Sequence, residues 1–129
     1  MTAAIRQCSP GFGLSSLPLL DQGSSVPTEH ILRAMLRDME LLPDKVIIIL
    51  DDYHCIELPS IHDSLSYMLE RLPSQVRLII ASRTVPDIPI AKLLVNGELN
   101  RITMHDLMFE CNEVIALFRH MNGFELTNE

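Results

Sequence analysis

The sequence predicts an α/β fold, with about three parallel strands flanked by helices, and three observations carry that prediction. Two short stretches, Lys45–Leu50 and Val76–Ala81, are dominated by Val, Ile and Leu and read as strands covered on both faces. Around them apolar residues recur at three- and four-residue spacing, as one face of a helix requires. The two patterns alternate along the chain, and alternation implies crossover connections and a parallel sheet.

Taken in order, Met1–Pro27 reads as an irregular segment, rich in Gly, Ser and Pro from Ser9 onward, with a weak helical turn at Leu17–Leu20. Thr28–Leu42 is predicted helical, with Ile31, Leu32, Met35, Leu36 and Met39 on the inner face and Arg33, Arg37 and Asp38 off it. Pro43-Asp44 ends it, and Lys45–Leu50 comes next as a central strand. Ser60–Arg71 is the next helix, with Ser60 as its cap, Asp63 at the capping-box position and a stripe of Leu65, Met68, Leu69 and Leu72. Val76–Ala81 is the second strand. Ile90–Val95 is a short helix stopped by Asn96-Gly97, and Asn100–Met104 is the third strand. The last helix spans Asn112–Met121, with Val114, Ile115, Phe118 and Met121 facing inward and Gly123 just past its end.

Composition narrows the function. The chain has 129 residues, 47% hydrophobic and 21% charged, which suits one folded domain. Apolar runs such as Val46–Leu50 fall far short of the roughly 20 residues that span a bilayer, so no membrane role is expected. Ten Lys and Arg against 17 Asp and Glu give a formal charge of −7, the wrong sign for direct nucleic-acid binding. The N-terminus lacks the apolar core and cleavage site of a secretory signal. The three cysteines, Cys8, Cys55 and Cys111, fit neither a disulfide framework nor a zinc site, and a cytoplasmic location with buried or idle thiols is expected.

In parallel sheets ligands bind beyond the carboxyl ends of the strands, which draws attention to the residues immediately after Leu50, Ala81 and Met104. Val46-Ile47-Ile48-Ile49-Leu50-Asp51-Asp52 is a buried strand that delivers two carboxylates, the Walker B pattern of ATPases. The first, Asp51, is suited to a hydrated Mg²⁺, and the second, Asp52, to orienting or activating a water. Leu78-Ile79-Ile80-Ala81-Ser82-Arg83 ends the next strand on an arginine that could reach a terminal phosphate, or simply pair with Asp51 or Asp52.

Asp51-Asp52-Tyr53-His54, Ile61-His62-Asp63-Ser64-Leu65, Leu72-Pro73, Leu78–Arg83, Pro89-Ile90-Ala91-Lys92-Leu93 and Asp106-Leu107-Met108-Phe109 succeed one another in a specific order. In this the chain resembles the nucleotide-binding domain of the MalT-like regulators of the LuxR family, ATP-dependent transcriptional activators of the signal-transduction ATPase class. The resemblance runs weakly before Thr28 and strongly from Lys45 to Phe109. It implies part of a three-layer P-loop NTPase-like fold, with residues 28–129 as its C-terminal part. It also implies ATP and Mg²⁺ as ligands of the intact regulator, Asp51 as the Mg²⁺-associated acid, Asp52 as the water-positioning acid and Arg83 as the sensor arginine. Glu110 departs from the family, which has Thr before the last helix. A larger departure is that G-x-x-x-x-G-K-[ST], the loop that cradles phosphates, does not occur in this sequence, and Gly11-Phe12-Gly13 reads as a turn. The expectation is therefore a piece of the ATP-binding domain that binds no nucleotide and hydrolyses none alone. Its partners would be the rest of the parent regulator.

In the resembled fold Val76–Ala81 would face an open slot. Either Asn100–Met104 closes it or a second copy pairs along the exposed edge. The alternative function is a non-catalytic interaction module on the same scaffold. A receiver-like domain is the remaining alternative, but it would need a further phosphoacceptor Asp and a late Lys, and no Lys occurs after Lys92. A metal cluster of His54, His62, Asp51 and Asp52 is disfavoured by its spacing.

Overall fold

The computed structural model describes residues 1–122 and falls into two compact units, Met1–Pro89 and Ile90–Glu129. In the first, helices α1 (Thr2–Cys8), α2 (Leu17–Asp21) and α3 (Thr28–Glu40) precede strand β1 (Val46–Leu50), and helix α4 (Pro59–Leu69) carries the chain to strand β2 (Val76–Ile80). The strands pair in parallel, Val46 opposite Val76 through Leu50 opposite Ile80. A parallel pair cannot be joined by a tight turn, so the 25 residues between the strands, α4 among them, make the crossover.

The core lies on one side of this sheet. Met35, Leu36 and Met39 of α3, Met68 of α4, Ile48 of β1 and Val76 of β2 form one buried cluster. α3 packs on α4, and Tyr67 reinforces the contact at the surface, with the Arg33 Nε–H donating to its hydroxyl at 3.1 Å and the Arg71 guanidinium 4.1 Å from its ring centre. The opposite sheet face is open: Ile47 is 60%, Ile49 65% and Ile79 50% exposed. The predicted covering of both faces is thus corrected to one. The β-branched run holds the strand conformation, but only one helical layer of this unit lies against it.

Met1–Pro27 is more ordered than its composition suggested. α1 buries Ile5, the next loop buries Phe12, and both join the core cluster. The tether is Asp38, which the helical spacing had put off the inner face but which is only 5% exposed. Its carboxylate accepts the Ser15 N–H at 3.0 Å, the Ser16 N–H at 2.9 Å and the Ser16 hydroxyl at 2.7 Å. Burial works to raise this carboxyl, but the hydrogen bonds from Ser16 and Ser15 together outweigh it and hold it below the usual carboxylate value.

Ser60 does not cap α4. Pro59 occupies the first turn, where its missing N–H costs nothing, and the Ser64 hydroxyl bonds back to the Ser60 carbonyl at 2.6 Å.

The second unit holds helices α5 (Ile90–Val95) and α6 (Cys111–Asn122). α5 stops as predicted: Gly97 takes φ +70°, its N–H bonds Leu94 O at 3.1 Å, and Glu98 N–H bonds Leu93 O at 2.9 Å. The predicted strand Asn100–Met104 is not one, so among the described residues the sheet has two strands and not three. Thr103 gives its backbone N–H (2.7 Å) and its hydroxyl (2.6 Å) to the Asp106 carboxylate, closing a turn where a ladder would have to run. The closure of the slot by Asn100–Met104 falls with that strand. α6 begins one residue before the predicted Asn112, secured by the Glu113 carboxylate, which accepts the Glu110 N–H at 2.9 Å. Val114 and Ile115 are half-buried as expected, but Phe118 is 45% exposed. The Met121 side chain and Gly123 lie outside the described residues, as does the rest of the chain to Glu129.

Candidate functional site

The carboxyl ends of β1 and β2 carry the predicted acids. β1 brings the backbone to Leu50, whose carbonyl accepts the Ala81 N–H at 2.9 Å, extending the ladder one step past β2. In a regular parallel ladder the Ala81 carbonyl would then accept from Asp52. It accepts instead from the Tyr53 N–H, at 3.0 Å. One residue more than the register allows is therefore inserted between Leu50 and Tyr53, and the pair Asp51-Asp52 loops out of the sheet as a bulge.

The bulge is made at Asp52, the only non-glycine residue with positive φ among the described residues (φ +49°, ψ +39°). A left-handed backbone costs a residue with a Cβ roughly 1–2 kcal/mol, and Asp is among the few that tolerate it. The Asp52 N–H, displaced from the ladder, turns to the Asp51 carboxylate at 2.8 Å. Both acids are exposed.

Beyond them a 3-10 turn, Tyr53–Cys55, runs into the structure. Tyr53 is 2% exposed. Burial first, and the charge of Asp87 second, push its phenol above the ordinary value, so the hydroxyl keeps its proton. It lies 2.7 Å from Nδ1 of His62 on α4, with the two rings edge to face at 5.4 Å. The hydroxyl donates to Nδ1 when the imidazole carries its proton on Nε2, and accepts from Nδ1 when the proton is there. His54 Nδ1 is buried without a hydrogen-bond partner, and the nearest carboxylate oxygen, Asp52 Oδ1, is 3.9 Å away, beyond hydrogen-bond reach. Ser82 Oγ, just past β2, is likewise buried and unpartnered. Arg83 comes next, at the surface, and makes no ion pair with Asp51 or Asp52 among the described residues.

Among the described residues no three His, Cys, Asp or Glu side chains are grouped to hold a metal ion. The Asp51 and Asp52 carboxylates are both exposed, and that of Asp51 already accepts the Asp52 N–H. Cys8, Cys55 and Cys111 are free and exposed, and no described helix is long and apolar enough to cross a membrane.

The spacing of apolar residues located the acids at the strand tip, but neither the bulge nor the Tyr53–His62 bond was legible. The adjacency of Tyr53 to the acid pair was the available signal.

No known protein-family profile matches the chain. It is similar to the HTH-type transcriptional regulator MalT of Cronobacter sakazakii, with 27% identity over 118 residues. The match takes in 92% of this chain and 13% of that protein, so the chain spans about an eighth of the length of the curated relative.

Proposed function

We propose that the chain is the Walker B-bearing part of the ATP-binding domain of a LuxR/MalT-type transcriptional regulator, on part of a three-layer P-loop NTPase-like fold. One observation carries the reading: the bulge after β1 lifts Asp51 and Asp52 out at the carboxyl end of a parallel sheet, where ligands of such sheets bind. Asp51 would hold a hydrated Mg²⁺, Asp52 would orient the attacking water, and Arg83 would sense the terminal phosphate. The similarity to MalT over most of the chain supports the regulator assignment. In this reading the domain acts in the cytoplasm with the rest of the parent regulator, makes no direct contact with nucleic acid and sits on no membrane. Without a phosphate loop in its own sequence the chain neither binds ATP firmly nor hydrolyses it.

A calorimetric titration with ATP and Mg²⁺, repeated on Asp51→Asn and Arg83→Ala, tests this. Binding no tighter than about millimolar is expected of all three. Micromolar binding by the wild type that neither substitution weakens would remove these residues from any nucleotide site and overturn the assignment.

The open isoleucine face favours a second reading, a non-catalytic interaction module that pairs with another copy; the sequence places that contact at the sheet edge, whereas the apolar area exposed by the structure is this face. Light scattering decides it: a dimer dispersed by Ile49→Lys supports the module, and a monomer at all concentrations excludes the pairing.

A further inference from the structure

The bulge at Asp51-Asp52 is strained and exposed, and such a backbone persists only where its surroundings over-determine it. Its outer side offers only bonds within residues 51–55: the Asp52 N–H goes to Asp51, the Asp52 carbonyl accepts the Cys55 N–H at 2.9 Å, and the His54 ring stays outside hydrogen-bond distance. The inner side offers Tyr53. This residue supplies the N–H that closes on Ala81 across the bulge, buries its ring almost completely and ends in a 2.7 Å bond to His62. His62 belongs to α4, which packs on α3, so the bond ties the loop to the helical layer and not merely to its own strand.

We propose that Tyr53 and His62 are positioning residues: their hydrogen bond fixes the bulge and thereby the direction of the Asp51 and Asp52 carboxylates. Neither side chain touches the ligand. The role of the pair rests on the reading of Asp51 as the ion-holding acid and Asp52 as the water-orienting acid beside it, while its structural half stands apart from that reading. If the bond is lost, the extra residue can be absorbed: Asp52 relaxes out of its left-handed conformation, and Tyr53 N–H gives up Ala81.

The test compares the wild type with Tyr53→Phe, His62→Ala and His62→Asn by NMR. Phe keeps the buried ring and removes only the hydroxyl. Asn places an acceptor near the position of Nδ1 and should restore what Ala loses. The first readout is amide exchange at residue 53 together with the Cα and Cβ shifts of Asp52. In Tyr53→Phe and His62→Ala, exchange at residue 53 should quicken by about tenfold, as the loss of one hydrogen bond implies, and the Asp52 shifts should leave left-handed values. Ladder amides of β1 and β2 should hold steady.

The second readout is broadening of the Asp51 and Asp52 signals by Mn²⁺ alone. It should be present in the wild type and in His62→Asn, and weakened several-fold in the other two. Unchanged exchange and shifts at residues 52 and 53 in Tyr53→Phe would overturn the proposal. So would a uniform loss of protection through the whole unit, since it would mark Tyr53 as core packing only. Absence of broadening in the wild type would instead sink the ion-binding reading, while the exchange data would still decide the anchor.

Discussion

Two acidic sites in this molecule solve opposite problems. Asp38 is buried and saturated, with three donors from Ser15 and Ser16 converging on its carboxylate. Asp51 and Asp52 are exposed, and among the described residues the one hydrogen bond their carboxylates accept comes from the displaced N–H of their own bulge. A carboxylate with its donors in place is a structural tether, whereas exposed carboxylates on a strained backbone are free to meet something from outside. The contrast separates the residues that hold the fold from those offered for function.

The contrast breaks most visibly at Asp38. Asp38→Ala strands three donors and should cost about 3 kcal/mol, read by urea unfolding, whereas Asp51→Asn should stay near wild type. The same site sets an acid limit. A carboxyl held below its unfolded value contributes stability that is complete above that value, near 3.9, and lost as pH falls through the lower folded value. Unfolding midpoints should therefore drop below about pH 4, and Asp38→Asn should flatten that drop. A flat wild-type profile would show the tether to be uncharged.

At the exposed site the expected effect is smaller and of opposite sign. Asp52→Gly should stabilise the chain by about 1 kcal/mol, because glycine takes the left-handed backbone freely. A loss of stability there would mean that the Asp52 side chain supports the fold after all. Smallest of all is Arg83→Ala, expected within about 0.5 kcal/mol of wild type by thermal unfolding, since the arginine is exposed and makes no ion pair with the acids.

The same division explains what the sequence made legible. α3, β1, α4, β2, α5 and α6 announce themselves because each carries an apolar period or run, and their limits fall within about two residues of expectation. α1 went unseen because it buries one residue, Ile5, and leaves no stripe to read. Asn100–Met104 has the composition of a strand, but the decision against it was made by Asp106, three residues beyond Thr103, through a side-chain turn. Asp38 was misplaced because a lone acid on a helix ordinarily faces water, and only the donors of Ser15 and Ser16, more than 20 residues earlier, reverse that. At the site the acids were legible from the end of an apolar run. The bulge was not, since it exists only in the hydrogen bond from Tyr53 to Ala81 across two strands. Arg83 reached the expected strand end without approaching the acids as an ion pair.

The open isoleucine face has a colloidal consequence. Ile47, Ile49 and Ile79 present an attractive, uncharged surface on a molecule that carries a formal charge of −7. In dilute buffer the mutual repulsion of like-charged molecules reaches roughly 30 Å at 0.01 M salt and keeps those faces apart; at 1 M it reaches about 3 Å. Self-association of this chain should therefore grow with ionic strength, the reverse of what salt does to a complex held by opposite charges.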